Sequence, residues 1–183
     1  MKIYKLAVLP LEDIAIDYGS ERIDYDLEDG DVKYIENKYK PVSSLGGGMW
    51  GVAYVTNDGK VLKLTKDINE YSICQELQKL KHSNCFVDIF ETEQISTIFI
   101  ILKEKLQELN EEQKNDFNSV IECLYDGDEE EEKILRERFS DFFEKVEDYY
   151  FDVTNYAYSD TLSSDNIGFD QYGTIKCFDP TRY

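Results

Sequence analysis

Residues 42–65 read VSSLGGGMWGVAYVTNDGKVLKLT, and the rest of the chain is best interpreted outward from them. Residues 42–45 lead into three glycines, and a β-prone run begins at Gly51. The Asn-Asp-Gly sequence at residues 57–59 is a hairpin turn signal, because these residue types tolerate the positive φ angles of tight turns. Residues 61–65 then alternate apolar and polar side chains, as a half-buried strand does. The stretch predicts a strand, a glycine loop, a strand, a turn and a third strand.

The segments that follow complete a pattern of strands with one helix. Residues 67–81 predict a helix, because apolar side chains recur every three or four residues and Asp67 or Asn69 can cap its start. Residues 86–90 and 95–102 predict two further strands, the second a near-continuous apolar run typical of a buried central strand. We therefore expect a five-stranded antiparallel sheet with one helix inserted after the third strand.

The second half of the chain has a mainly helical pattern. Residues 103–125 predict one helix and residues 132–156 a second, long amphipathic helix. The acidic run between them, residues 126–132, suits a solvated loop or a helix start. A turn at residues 172–173 and a strand over residues 174–178 follow. Together the two halves predict an α+β fold.

The charge of the chain restricts its partners. Its 183 residues include 39 acidic and 20 basic side chains, which gives a formal charge of −19. This charge argues against general binding to nucleic acid or to anionic membranes, because phosphates would be repelled. No apolar run approaches the ~20 residues of a membrane span. No export signal is recognisable either, so we expect a cytoplasmic protein.

The cysteines and the single histidine do not indicate a metal site. A zinc site needs a denser set of ligands than this sequence offers. The widely spaced residues are Cys74, Cys85, His82, Cys123 and Cys177. We expect the cysteines to be ordinary buried thiols.

The glycine loop is the first candidate for a functional site. Gly46, Gly48 and Gly51 form a G-x-G-x-x-G pattern, although a hairpin that needs positive φ angles explains such glycines without any ligand. The pattern lies between two strands, which argues against a Rossmann site, because that site needs a helix N-terminus. No Gly-Lys-Ser/Thr follows, so it is not a Walker A loop. A glycine hairpin followed by a lysine on the next strand is how kinases cover nucleotide phosphates.

Lys63 is the candidate for that lysine. It lies among apolar residues on the third predicted strand, twelve residues after Gly51. A buried charge is costly without a partner, so we expect a carboxylate from the following helix, Glu70 or Glu76. Lys63 taken alone is equally consistent with the exposed face of an alternating strand, where lysine is ordinary.

The C-terminal segment carries the second candidate cluster. Asp160 and Asn166 lie in a loop, and Asp179 follows the last predicted strand. Magnesium prefers oxygen ligands and is usually held by one or two protein groups together with waters and substrate phosphates. Asn166 and Asp179 could supply such ligands, with Asp160 reaching toward a substrate hydroxyl.

These features, in this order, resemble the protein-kinase-like superfamily, and more closely the small kinase-like proteins encoded by bacteriophages. The resemblance covers residues 43–180 and implies a minimal bilobal fold. Residues 41–102 would form an N-lobe with the antiparallel five-stranded sheet and one helix. Residues 103–183 would form a truncated, mainly helical C-lobe. Residues 1–40, with a strand expected at residues 4–9 and a hairpin or short helix after it, would be an extension packed on the N-lobe.

The resemblance also implies ATP and Mg²⁺ as ligands and a role for each candidate residue. Gly46, Gly47, Gly48 and Gly51 would cover the phosphates. Lys63 would contact the α- and β-phosphates and would be held by Glu70, which is preferred, or by Glu76. Asp160 would be the catalytic base, and Asn166 and Asp179 would bind magnesium.

Several positions depart from the family's pattern. Asp160 and Asn166 are six residues apart where the family has five, so strict spacing would put Thr161 at the base position. Residues 158–159 are Tyr-Ser where the family has His-Arg, and residues 179–181 are Asp-Pro-Thr where it has Asp-Phe-Gly. The sequence then leaves no room for an activation segment, so we expect nucleotide binding more firmly than protein phosphorylation.

Three functions stay open on the sequence. The first is a minimal phosphotransferase acting on a hydroxyl of a protein or small molecule. The second is a pseudokinase that acts by protein–protein interaction. The third is an acidic inhibitor that imitates the phosphate field of DNA and blocks a basic, DNA-binding host protein. The expected partners are ATP and a protein substrate or target, without nucleic acid or membrane, in the host cytoplasm if the chain is phage-encoded.

Overall fold

The computed structural model describes residues 27–47, 51–80, 84–156 and 158–180. The strand expected at residues 4–9 and Gly48 lie outside these described residues. The chain divides into two compact units. The first unit comprises the described residues of 1–79 and 88–105, and the second comprises those of 80–87 and 106–183. The fold is α+β, as predicted.

The first unit contains a five-stranded antiparallel sheet in the order β1-β2-β3-β5-β4. Its strands are β1 (Pro41–Gly47), β2 (Gly51–Thr56), β3 (Val61–Thr65), β4 (Ile89–Ile95) and β5 (Ile98–Lys103). Helix α1 (Asp29–Tyr39) precedes β1, and helix α2 (Ile68–Leu80) joins β3 to β4. The predicted sheet, with its helix after the third strand, is confirmed.

Helices α1 and α2 cover opposite faces of the sheet. Ile35 and Tyr39 of α1 pack in one core with Leu62, Leu64 and neighbouring side chains of β2 and β5. On the other face, Tyr71 of α2 stacks on Phe99 of β5, with ring centroids 4.6 Å apart. Because both faces are covered, β5 reads as a continuous apolar run.

One predicted strand of this unit has the wrong bounds. The strand expected at residues 86–90 begins only at Ile89. Phe86 instead forms an isolated parallel bridge with Cys177 and belongs to the second unit. An apolar run predicts that a segment is buried, but it does not predict which strand the segment pairs with.

The second unit combines three helices with a small antiparallel sheet in the part of the chain that is described. The helices are α3 (Glu111–Asp126), α4 (Glu129–Phe139) and α5 (Asp141–Val153), and the strands are β6 (Gln107–Glu108), β7 (Ile167–Phe169) and β8 (Ile175–Cys177), in the order β6-β7-β8. A single turn of 3₁₀ helix, Ser164–Asn166, precedes β7. Phe117 of α3 and Phe143 and Val146 of α5 are completely buried.

The helix expected over residues 103–125 begins later than predicted. Asn110 caps α3, since its side chain accepts from the backbone N–H of Gln113 at 2.9 Å and the Gln113 side chain accepts from the N–H of Asn110 at 3.0 Å. Leu109 is buried but lies before the cap. The capping box therefore overrides the apolar period that suggested an earlier start.

The single long helix expected over residues 132–156 is also wrong, because the structure breaks it at Ser140. This residue has φ 44° and ψ −115°, which ends α4 and starts α5.

The acidic run at residues 126–132 was expected to be either a solvated loop or a helix start, and the structure shows the start of α4 there. Asp128 caps α4 by accepting from the backbone N–H groups of Glu130 and Glu131 at 3.0 and 2.9 Å.

All four cysteines are buried thiols, as predicted. Among the helices of the described residues, none is long and apolar enough to cross a membrane.

Replacing Ser140 with glycine should stabilise the protein. The backbone angles at Ser140 are strained for a residue with a side chain and ordinary for glycine, so Ser140→Gly should raise the free energy of unfolding by about 1 kcal/mol. Ser119→Gly in the interior of α3 is the matched control and should lower it by about 0.5 kcal/mol. Urea unfolding monitored by circular dichroism measures both. Equal losses in the two variants would contradict the strained break.

Candidate functional site

The glycine hairpin has structural reasons for two of its glycines. Gly46 has φ +117°, a conformation that residues with a side chain rarely adopt. Gly51 has no room for a side chain, because a Cβ there would lie 2.5 Å from the carbonyl oxygen of Leu64. Gly47 pairs with Val52 at the end of β1. Any binding role of these glycines would be additional to the needs of the hairpin.

Lys63 lies in the middle of the sheet and faces α2. On β3 it is flanked in register by Ala53 of β2 and Ile101 of β5. Its Nζ lies 2.6 Å from Oε1 of Glu70, in the first turn of α2. Only 17% of the Lys63 side chain and 8% of the Glu70 side chain are exposed. The expected ion pair with a helix acid is present, and the idea of a solvent-facing lysine is wrong.

Glu70 is the helix acid that reaches Lys63. Glu76, the other candidate, is exposed further along α2. The start of α2 explains the choice, because Asp67 caps the helix by accepting from the backbone N–H of Asn69 at 2.8 Å. This cap fixes where the first turn begins and so sets Glu70 above β3. The ion pair therefore depends on the short connection from β3 to α2.

The three candidate residues of the second unit are brought together by two hydrogen bonds. The side-chain amide of Asn166 donates to the backbone carbonyl of Asp160 at 3.2 Å. The backbone N–H of Phe178 donates to the carbonyl of Asn166 at 2.9 Å, which places Asp179 one residue from that contact. The loop that carries Asp160 and Asn166 is thus tied to the segment that carries Asp179.

Asp160 and Thr161 are the two candidates for the base position, and the structure distinguishes them. Asp160 is exposed and has φ +59°, whereas Thr161 is 6% exposed. Positive φ is unusual outside glycine, although aspartate adopts it more readily than most residues. Such conformations cluster at functional sites. Of the two side chains, that of Asp160 is the more exposed to solvent.

Tyr149 is a supporting residue that the sequence did not reveal. Its hydroxyl, on the buried face of α5, donates to the backbone carbonyl of Thr161, next to Asp160. Burial raises the pKa of Tyr149 above its ordinary value, so the hydroxyl keeps the proton that it donates. In the sequence it is one of many aromatic residues in an amphipathic helix, and nothing marks it as a partner of the loop.

The oxygen atoms of Asn166 and Asp179 could contribute to a magnesium site but could not complete one. Among the described residues, no group of three or more histidine, cysteine, aspartate and glutamate side chains could hold a metal ion. Magnesium commonly takes one or two protein oxygens and completes its six ligands with water and phosphate. The donor set fits a metal that arrives with a phosphate ligand.

In comparisons of the sequence with known proteins, no protein-family model matches the chain and no curated protein matches it.

Removing Glu70 should destabilise the protein much more than removing Glu76. Glu70→Gln removes the carboxylate that lies 2.6 Å from the largely buried ammonium group of Lys63, which should cost about 3 kcal/mol of unfolding free energy. The exposed Glu76→Gln is the matched control and should cost less than about 1 kcal/mol. Guanidinium unfolding of both variants measures the difference, and equal losses would contradict the importance of the pair.

Proposed function

We propose that this chain is a minimal kinase-like protein that binds Mg-ATP and transfers the γ-phosphate to a hydroxyl group. The observation that carries the proposal is the ion pair between Lys63 and Glu70. Lys63 lies on β3, the strand that follows the glycine hairpin, and its Nζ is 2.6 Å from Oε1 of Glu70 on α2. Kinases use a lysine held in this way by a helix glutamate to contact nucleotide phosphates. Burying a lysine and its partner costs desolvation free energy, and an ion pair that binds no ligand would stabilise the sheet poorly in return.

In this proposal the first unit supplies the phosphate contacts. The backbone of the hairpin around Gly46, Gly47, Gly48 and Gly51 would cover the phosphates, and Lys63 would contact the α- and β-phosphates. Glu70 would fix the ammonium group so that little reorganisation is needed when the nucleotide binds. Preorganised charge of this kind is a major part of phosphoryl-transfer catalysis.

The second unit would supply the remaining chemistry. Asn166 and Asp179 would hold Mg²⁺, and Asp160 would accept the proton of the acceptor hydroxyl. The acceptor oxygen forms a bond to the γ-phosphorus while the bond from that phosphorus to the β,γ-bridging oxygen breaks, and ADP leaves. The hydrogen bonds from Asn166 and Tyr149 that hold residues 160–161 support the base role, because a base must be positioned as well as exposed.

A second candidate function is binding of a basic partner protein without catalysis, as a pseudokinase or an acidic inhibitor. Helix α4 favours it, since none of its residues is buried and its first turn consists of four glutamates, Glu129 to Glu132. Ile134, on the same helix, is 57% exposed. The departures from the family's pattern around Asp160 agree with a loss of catalysis.

Mg-ATP should raise the melting temperature of the protein. A ligand at 100 times its Kd stabilises by about 2.7 kcal/mol, which for a domain of this size is a shift of about 5–10 °C. Lys63→Met and Asp179→Asn should each abolish the shift, because each removes a proposed ligand contact. The exposed matched controls Lys79→Met and Asp126→Asn should keep it. No shift for the native protein at millimolar Mg-ATP would contradict the nucleotide site and favour the partner-binding function.

Asp160→Asn should separate catalysis from nucleotide binding. It removes the proposed base and leaves the phosphate contacts, so ATP hydrolysis or phosphate transfer should fall by about 10²–10⁴-fold. The thermal shift with Mg-ATP should stay within a few degrees of that of the native protein. Asp165→Asn, in the same loop and exposed, is the matched control. Undiminished turnover in Asp160→Asn would remove Asp160 from the mechanism.

A further inference from the structure

An open pocket lies beside Asp160, wholly within the second unit. Its cavity volume is about 430 Å³, and it is lined by residues 153 and 154 at the end of α5 and by residues 156, 158 and 160–163. Pockets that hold small molecules commonly measure about 300–1,000 Å³. The pocket is therefore large enough for a compact ligand next to the proposed base.

Two tyrosines form a preorganised aromatic wall of this pocket. The rings of Tyr156 and Tyr158 are nearly parallel, with an interplanar angle of 6° and centroids 6.2 Å apart. Both rings meet Phe86 edge to face, at 5.1 and 5.5 Å, and Phe86 is 1% exposed. A buried side chain thus holds the two rings in place before any ligand arrives, which lowers the entropic cost of binding.

The charges and polar groups of the pocket select against anions. Among the described residues that line it, Asp160 alone carries a charge, and it is negative. The formal charge of the whole chain, −19, acts in the same direction. Thr154 and Ser163 add hydroxyl groups that can hydrogen-bond to a ligand, while Leu162 adds apolar surface.

From these features we infer that the pocket binds the phosphate acceptor, and that the acceptor is a small, uncharged alcohol with a ring, that is, a sugar or a nucleoside. The ring would lie against Tyr156 and Tyr158, and a hydroxyl would reach Asp160. This inference rests on the proposed function, because Asp160 takes the hydroxyl proton as the acceptor oxygen attacks the γ-phosphorus and ADP leaves. It adds the substrate class, which the nucleotide site does not define.

The test measures binding without any nucleotide, using glucose, uridine and glucose 6-phosphate as probes. We expect glucose or uridine to give saturation-transfer difference signals from its ring protons, and glucose 6-phosphate to bind at least tenfold more weakly than glucose wherever glucose binds. Binding of glucose alone identifies a sugar site, and binding of uridine alone identifies a nucleoside site. Failure of both neutral probes, or equal binding of glucose and glucose 6-phosphate, overturns the inference.

Two variants locate the binding. Tyr158→Leu should weaken the binding of the neutral probe at least tenfold, whereas Tyr172→Leu, at a tyrosine that is 83% exposed and outside the pocket, should not change it. Since Tyr158 also packs on Phe86, Ser163→Trp is the second test. The Ser163 side chain makes no capping hydrogen bond, and a tryptophan there should fill the pocket and abolish binding. Native-like binding in Ser163→Trp overturns the inference.

The outcome is independent of the nucleotide site, because no ATP is present. If a neutral probe binds and Mg-ATP gives no thermal shift, the pocket stands and the kinase-like function fails. If Mg-ATP binds and neither neutral probe does, the kinase-like function stands and the acceptor class is wrong.

Discussion

Burying a lysine in the middle of a β-sheet is costly unless a carboxylate meets it, and this constraint organises the first unit. Lys63 lies between Ala53 and Ile101 on neighbouring strands, so no water-exposed edge is close by. The carboxylate must come from above the sheet, and Glu70 supplies it only if α2 folds back at once after β3. The short connection and the cap at Asp67 make that possible. The charge pair and the helix position therefore depend on each other.

The same sheet shows how one strand can serve a core and a site. Leu62 and Leu64 pack with α1 on one face, while Lys63 between them faces α2 on the other. Successive side chains on a strand point to opposite faces, so a single strand can bury apolar groups and present a charge. Helix α1 covers the apolar face, which leaves the α2 face to carry the buried charge.

In the second unit, hydrogen bonds to backbone carbonyl oxygens position the loop that carries Asp160 and Asn166. The carbonyl of Asp160 accepts from Asn166, and the carbonyl of the next residue, Thr161, accepts from Tyr149. The carbonyl of Asn166 accepts from Phe178. In each contact the acceptor is a backbone carbonyl oxygen, so the loop is held at its backbone.

Local sequence signals predicted much of the fold. The turn at residues 57–59, the three strands around it, the inserted helix and the continuous run of β5 follow from turn chemistry and apolar period, which act over a few residues. The candidate residues Lys63, Asp160, Asn166 and Asp179 could also be named, because their residue types and order were informative. These features depend on neighbours along the chain and need no knowledge of packing.

Tertiary structure decided what local signals left open. Phe86 joins the second unit although its apolar run suggested a strand of the first, because burial does not specify a partner. The break at Ser140 interrupts an apolar period that would have continued a single helix. The choice of Glu70 over Glu76 and the support of residue 161 by Tyr149 are contacts between segments. Such contacts depend on how helices and strands pack against one another. The pattern of residue types along the chain does not specify which distant segments come into contact.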